Sequence, residues 1–152
     1  LAETIAATFP VDPDRQGIFG HSMGGHGALT LHLRHPERYR SCSAFAPVVA
    51  PMQVPWGQKA FSGYLGPDRT AWAEHDACRL VAARPSGVPI LIDQGDRDQF
   101  LARELQPERF EAAAEAAGQP HTLRRHRGYD HSYYFIQTVV EDHLHHHGRL
   151  LA

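Results

Sequence analysis

Gln16-Gly17-Ile18-Phe19-Gly20-His21-Ser22-Met23-Gly24-Gly25-His26-Gly27-Ala28-Leu29 decides how this chain is read. Residues 16–20 are short, apolar and bounded by glycine, the pattern of a buried parallel strand. From Gly24 to His35, the residues Ala28, Leu29, Leu31 and Leu33 predict a helix that Pro36 stops. Between strand and helix stands Gly20-His21-Ser22-Met23-Gly24, a match to G-x-S-x-G. With 13 Gly and 6 Ser in 152 residues, a shuffled chain would hold about 0.04 such matches. A serine between a strand and a helix sits on a tight turn with its hydroxyl presented outward. Gly20 and Gly24 are expected to be glycine because side chains there would meet neighbouring backbone. The helix start behind Ser22 offers free N–H groups and a positive dipole end, so the Met23 N–H is a candidate oxyanion donor. The plainer alternative is a glycine-rich turn with Ser22 as helix N-cap.

Outward from this stretch the chain alternates strand and helix. Residues 1–7 read as helix interior with no cap before them, which suggests that the chain begins partway through an element; Pro10 and Pro13 end that helix. Ser43–Ala46 is a second strand candidate, Val88–Asp93 the clearest strand, and Thr122–His126 a last one. Pro107–Gly118 predicts a helix closed by glycine, and Ser132–Leu151 a C-terminal helix. Between Pro47 and Glu74, prolines and glycines punctuate Trp56, Phe61, Tyr64 and Trp72, so an irregular binding loop or lid is expected. Strands separated by helices predict an α/β fold with a mostly parallel sheet, and 152 residues make one domain.

Composition removes other classes. Apolar residues are 42% and the formal net charge is −2, so neither disorder nor a nucleic-acid or anionic-membrane partner is indicated. The longest apolar runs fall far short of the ~18 residues a membrane span needs. Cys42 and Cys78 form no disulfide framework or zinc motif and read as reduced thiols of a cytosolic protein.

A serine nucleophile needs a base, and the base an orienting acid. In folds with this strand–serine–helix turn the chain order is Ser, acid, His. Downstream lie Asp93-Gln94-Gly95-Asp96-Arg97-Asp98 and then Tyr129-Asp130-His131. Asp96 and Asp98 fall beyond the strand's carboxyl end, where open α/β sheets place their sites, and position alone leaves both open. Asp130 adjoins His131, so their side chains should diverge. Among 12 histidines, His32, His35, His121 and His126 are expected at the solvated surface, while His131 sits in a turn among tyrosines. His143, His145, His146 and His147 allow a metal site, but no carboxylate or thiolate stands at ligand spacing, and a polar helix end is the preferred reading.

Four segments in order, Gly20–Leu29, Pro55–Gly66, Asp93–Leu101 and Gly128–Phe135, resemble the S-formylglutathione hydrolase (esterase D) family of the α/β-hydrolase fold. The resemblance implies Ser22 as nucleophile, Asp98 rather than Asp96 as acid, and His131 as base. It further implies hydrolysis of S-formylglutathione to formate and glutathione in formaldehyde detoxification, without metal or organic cofactor, in a cytosolic and often homodimeric enzyme. Trp56, Lys59 and Tyr64 are candidate substrate contacts, with packing inside their own segment as the alternative. Family members are longer, and this chain matches their C-terminal half. On that basis the chain is a partial domain whose strand at Gln16–Phe19 forms an exposed apolar edge, and the loop carrying a second oxyanion donor belongs to the other half. Two further readings stand beside it: a catalytically silent fragment or interaction module, and a carboxylesterase acting on another small ester.

Overall fold

The computed structural model describes residues 2–152; Leu1, part of the expected first helix, lies outside them. The chain runs α1 (Ala2–Thr8), β1 (Gln16–His21), α2 (Met23–Arg34), β2 (Tyr39–Phe45), a 3₁₀ turn (Pro51–Gln53), α3 (Pro55–Leu65), α4 (Arg69–Ala73), α5 (Ala77–Ala83), β3 (Ile90–Gly95), a π-helical turn (Leu101–Leu105), α6 (Glu108–Ala117), β4 (His121–His126) and α7 (Tyr133–Leu151). The four strands form one parallel sheet in the order β1-β2-β3-β4. Each connection crosses over through at least one helix, as parallel strands require.

The central strands are buried along most of their length, and their side chains alternate between two helical layers. Cys42 and Ala44 of β2 and Ile90 and Ile92 of β3 pack with Leu29, Leu33, Leu80, Val81, Phe110 and Ala114 of α2, α5 and α6. Phe45 points the other way and packs with Phe135 and Val139 of α7, together with Val48, Val54 and Leu105. The strand β1 is a sheet edge, as expected, with Phe19 half exposed.

The stretch from Pro47 to Glu74 is not the irregular loop expected. It folds as a 3₁₀ turn and two helices. Pro55 occupies the first turn of α3, where a missing N–H costs nothing. Asp68 accepts from Thr70 N at 2.9 Å to start α4, and Asp76 accepts from Arg79 N at 3.1 Å to start α5. Gly57 lets α3 cross the preceding turn: a Cβ there would lie 2.2 Å from the Pro51 carbonyl oxygen. The helix α5 and the π-helical turn carry no clear periodic signal and go unpredicted.

The histidines also depart from expectation. His32 is fully buried, its Nδ1 2.7 Å from Tyr39 O and its Nε2 2.8 Å from Ser86 Oγ. His121 and His126 are half-buried on β4, and only His35 of the four is exposed. Nor is the C-terminal run a polar helix end: His143, His146 and His147 are buried against the sheet, while His145 faces outward. Among the described residues, no helix is long and apolar enough to cross a membrane, and no group of three or more His, Cys, Asp or Glu is placed to hold a metal ion.

Candidate active site

Ser22 occupies the turn between β1 and α2 at φ 56°, ψ −114°, a left-handed conformation that costs a non-glycine residue about 1–3 kcal/mol. Backbone bonds hold it there. Its N–H donates to Phe45 O at 2.9 Å, and its carbonyl accepts from His26 N at 3.0 Å and Val48 N at 3.3 Å. The side chain makes no capping hydrogen bond, so the N-cap alternative does not occupy the hydroxyl. Glycine is required at Gly20, where a Cβ would lie 2.3 Å from Gly24 O. Gly24 itself has open space around its missing side chain, contrary to expectation. The second tight position is Gly25, whose Cβ would approach Gly20 O and Pro47 Cβ at 3.0 Å. Met23 opens α2, and its N–H lies in the first turn, where the helix provides no acceptor.

The loops after β3 and β4 are zipped together by their backbones. Arg97 N donates to Tyr129 O at 2.9 Å, Asp96 N to His126 O at 3.0 Å, and Gly128 N to Asp96 Oδ1 at 2.7 Å. Gly95 permits the contact, since a Cβ there would sit 2.3 Å from Tyr129 O. The zipper brings Asp98 Oδ2 to 2.5 Å from His131 Nδ1. Asp96 is used up in the turn, and Asp130 accepts from Ser132 N at 2.9 Å instead of facing His131.

Asp98 is itself held from three sides. Besides His131, Gln94 Nε2 donates to Oδ2 at 3.1 Å and Phe100 N to Oδ1 at 2.8 Å. Burial opposes its charge, but these hydrogen bonds prevail and hold the carboxyl below its ordinary range. The geometry assigns the His131 proton to Nδ1, leaving Nε2 as the free face of the ring.

Ser22 and His131 share one rim, though no hydrogen bond joins them among the described residues. His21, next to the serine, packs on the His131 ring with centroids 4.4 Å apart. Phe100 meets His131 edge-on at 5.0 Å and lines, with Ser22, a cavity of about 350 Å³. Met23, Val48, Trp56, Glu104 and Leu105 complete that lining. Lys59 and Tyr64 lie outside it, in an adjoining groove shared with Met23, His26 and Trp56. Of the three expected substrate contacts, the structure thus brings Trp56 to the serine and sets the other two further along. Burial lowers the His21 pKa, reinforced by the neighbouring His131, and pulls His26 down to about 4. Sequence reasoning missed His21, Gln94, Phe100 and Glu104. His21 and Gln94 stand inside quoted motifs, whereas nothing local marks Glu104.

Comparison with known proteins bears on this geometry. Residues 1–146 match the Esterase family, described as "Putative esterase". The S-formylglutathione hydrolase of Mus musculus is 53% identical over 99% of this chain and 54% of its own length, and that of Rattus norvegicus 52% identical over the same shares. A solved S-formylglutathione hydrolase from Agrobacterium tumefaciens superposes with a TM-score of 0.94 at 50% identity, covering 99% of this chain and 55% of that one. The chain spans about half the length of the curated relatives it matches. The fold is that of the α/β hydrolases, represented here by four parallel strands.

Proposed function

The chain belongs to the esterase family, and from that premise we propose that it carries the catalytic triad of a serine thioesterase that hydrolyses S-formylglutathione. The observation that supports this reading is a strained serine with a free hydroxyl whose neighbours His21 and Phe100 both pack on a histidine braced at 2.5 Å by a buried aspartate. Names of relatives half identical to this chain support the substrate.

In this mechanism, His131 Nε2 takes the proton from Ser22 Oγ as that oxygen attacks the formyl carbonyl. Asp98 keeps the ring in the right tautomer and stabilises the imidazolium. The Met23 N–H donates to the tetrahedral oxyanion, and a second donor is expected from the half of the relatives' length that this chain does not cover. Collapse breaks the C–S bond, and glutathione leaves as a thiolate, a good leaving group because thiols ionise near pH 8.5. His131 yields its proton to that sulfur. It then deprotonates a water that attacks the formyl-serine, releasing formate and restoring Ser22. The proposed steps draw on no metal or organic cofactor. Trp56 flanks the acyl group, and Lys59 and Tyr64 in the adjoining groove face the glutathione portion. The enzyme is assigned to the cytosol, consistent with two buried free thiols, and to a homodimer, with residues 1–152 as part of a single domain.

A second reading concerns the chain by itself. The exposed β1 edge favours pairing with further strands, and absence of one oxyanion donor typically costs about 10²–10³ in rate. The test is turnover of S-formylglutathione by the 152-residue chain and by a full-length version, the same chain joined to the half of a curated relative that it leaves uncovered, each beside Ser22→Ala. The expected result is a loss of at least about 10³-fold on substitution in the full-length protein. Full-length activity that survives Ser22→Ala would reject the assignment. Activity confined to the full-length protein would identify the short chain as silent.

A further inference from the structure

The cavity beside Ser22 contains a carboxylate that the mechanism does not use. Glu104 stands on the π-helical turn, with its side chain 16% exposed. Its Oε2 accepts from Trp56 N at 3.0 Å. Trp56 is the second residue of α3, where the N–H has no partner within the helix. Glu104 therefore caps α3 from a different element, with its negative charge at the positive end of the helix. A second tie runs alongside: the Arg109 guanidinium donates to both Gln53 and Gln106. The π-helical turn is continuous with the acid loop, since Asp98 O accepts from Leu101 N at 3.1 Å. Such turns disrupt regular helix geometry and recur at functional sites.

We infer that Glu104 is a positioning residue: it pins Trp56 as a wall of the acyl pocket and so restricts the site to short acyl groups. This deepens the proposed function and rests on Ser22 being the nucleophile of that pocket. Without the pin, the first turn of α3 loses its acceptor, Trp56 can swing outward, and longer acyl chains gain room.

The test uses p-nitrophenyl acetate and butyrate with full-length enzyme. Glu104→Ala is expected to raise the butyrate-to-acetate ratio of kcat/KM about tenfold, whereas Glu104→Gln, which keeps an acceptor oxygen, stays within about twofold of wild type. An unchanged ratio in Glu104→Ala, or a Glu104→Gln ratio equal to that of Glu104→Ala, overturns the inference. If Glu104→Ala does not fold, Trp56→Ala must raise the same ratio, and a wild-type ratio there overturns it equally. Acrylamide quenching of the 152-residue chain, whose two tryptophans are Trp56 and Trp72, reads the pin without turnover. Trp72 is 4% exposed and Trp56 38%, so Trp56 dominates the signal. Glu104→Ala should steepen the quenching and Glu104→Gln should not; equal slopes overturn the inference. Wild-type protein that cleaves no ester, yet shows the quenching difference, rejects the proposed function and leaves the pin in place.

Discussion

The two faces of the sheet are held by different physics. Under α2, α5 and α6 the contacts are aliphatic and aromatic, with Phe110, Leu29 and Ile92 almost wholly buried. Under the C-terminal half of α7 they are largely polar. His147 bridges Ser41 Oγ at 2.6 Å and Ser43 Oγ at 2.8 Å, and His146 Nε2 lies 3.1 Å from Cys42 O. His143 stacks on Phe45 at 3.8 Å while its Nε2 reaches Asp93 Oδ2 at 3.0 Å. The Arg124 guanidinium grips both oxygens of Asp93, with Nε at 2.6 Å from Oδ1. Gly17 keeps the approach open, because a Cβ there would fall 2.5 Å from Ser41 Oγ and 2.7 Å from His147 Nδ1. The apolar contacts tolerate imprecision and include no group that titrates between pH 4 and pH 8. The polar face needs its partners present and His146 and His147 neutral.

Removing one member from each face should expose that difference. Asp93→Ala leaves His143 without its acceptor and Arg124 with Asp142 alone, and is expected to cost about 3–5 kcal/mol in urea unfolding. Phe110→Ala on the other face should cost a comparable ~3–5 kcal/mol by opening a cavity, but by the same amount at pH 5 and pH 8. A pH-dependent Phe110→Ala deficit would break the contrast.

Acid should act first on the buried histidines. Burial, aided by the neighbouring His146 and His143, pulls His147 down to about 4. The unfolded chain therefore binds that proton more readily. Stability is fully present above about pH 6.5 and is lost as pH falls toward 4, by about 3 kcal/mol from His147. His26 of α2, on the opposite side of the sheet and also brought to about 4 by burial, adds to the same window. Asp93 acts lower. Burial disfavours its charge, but hydrogen bonds from His143 and Arg124, with His126 Nε2 3.2 Å from Oδ1, hold its pKa well below the ordinary carboxylate value, so its contribution persists until pH falls below about 4. Stability titrated by urea midpoints should thus decline in two stages, and His147→Gln should weaken the first. A flat profile from pH 7 to pH 4.5 would contradict this. The smallest effect belongs to His145, exposed on the same helix, where replacement by Ala should stay within about 0.5 kcal/mol.

The same contrast governs what could be read from the sequence. Strands β1 to β4, helix α2 and helix α6 announce themselves through apolar spacing, glycine stops and proline breaks. Ser22, His131 and the acid region are legible because a strand–serine–helix turn and a strand-end aspartate leave local marks. Asp98 and Asp96 differ only through a backbone zipper between segments about thirty residues apart, which no local pattern encodes. The buried histidines are illegible for a similar reason. A histidine satisfied by serine hydroxyls looks, in sequence, like any polar residue, and its partners lie 104 and 106 positions away. Residues 47–74 misled because proline and glycine serve there as helix starts and close crossings rather than as breaks.

The backbone at Ser22 sets folding against chemistry. Its φ of 56° suits glycine far better than serine, so Ser22→Gly should melt at a higher temperature than the parent while losing the proposed nucleophile. A chain selected for durability alone would shed this side chain. Keeping it is a standing sacrifice at a single peptide unit, and thermal robustness bought there would come at the expense of reactivity.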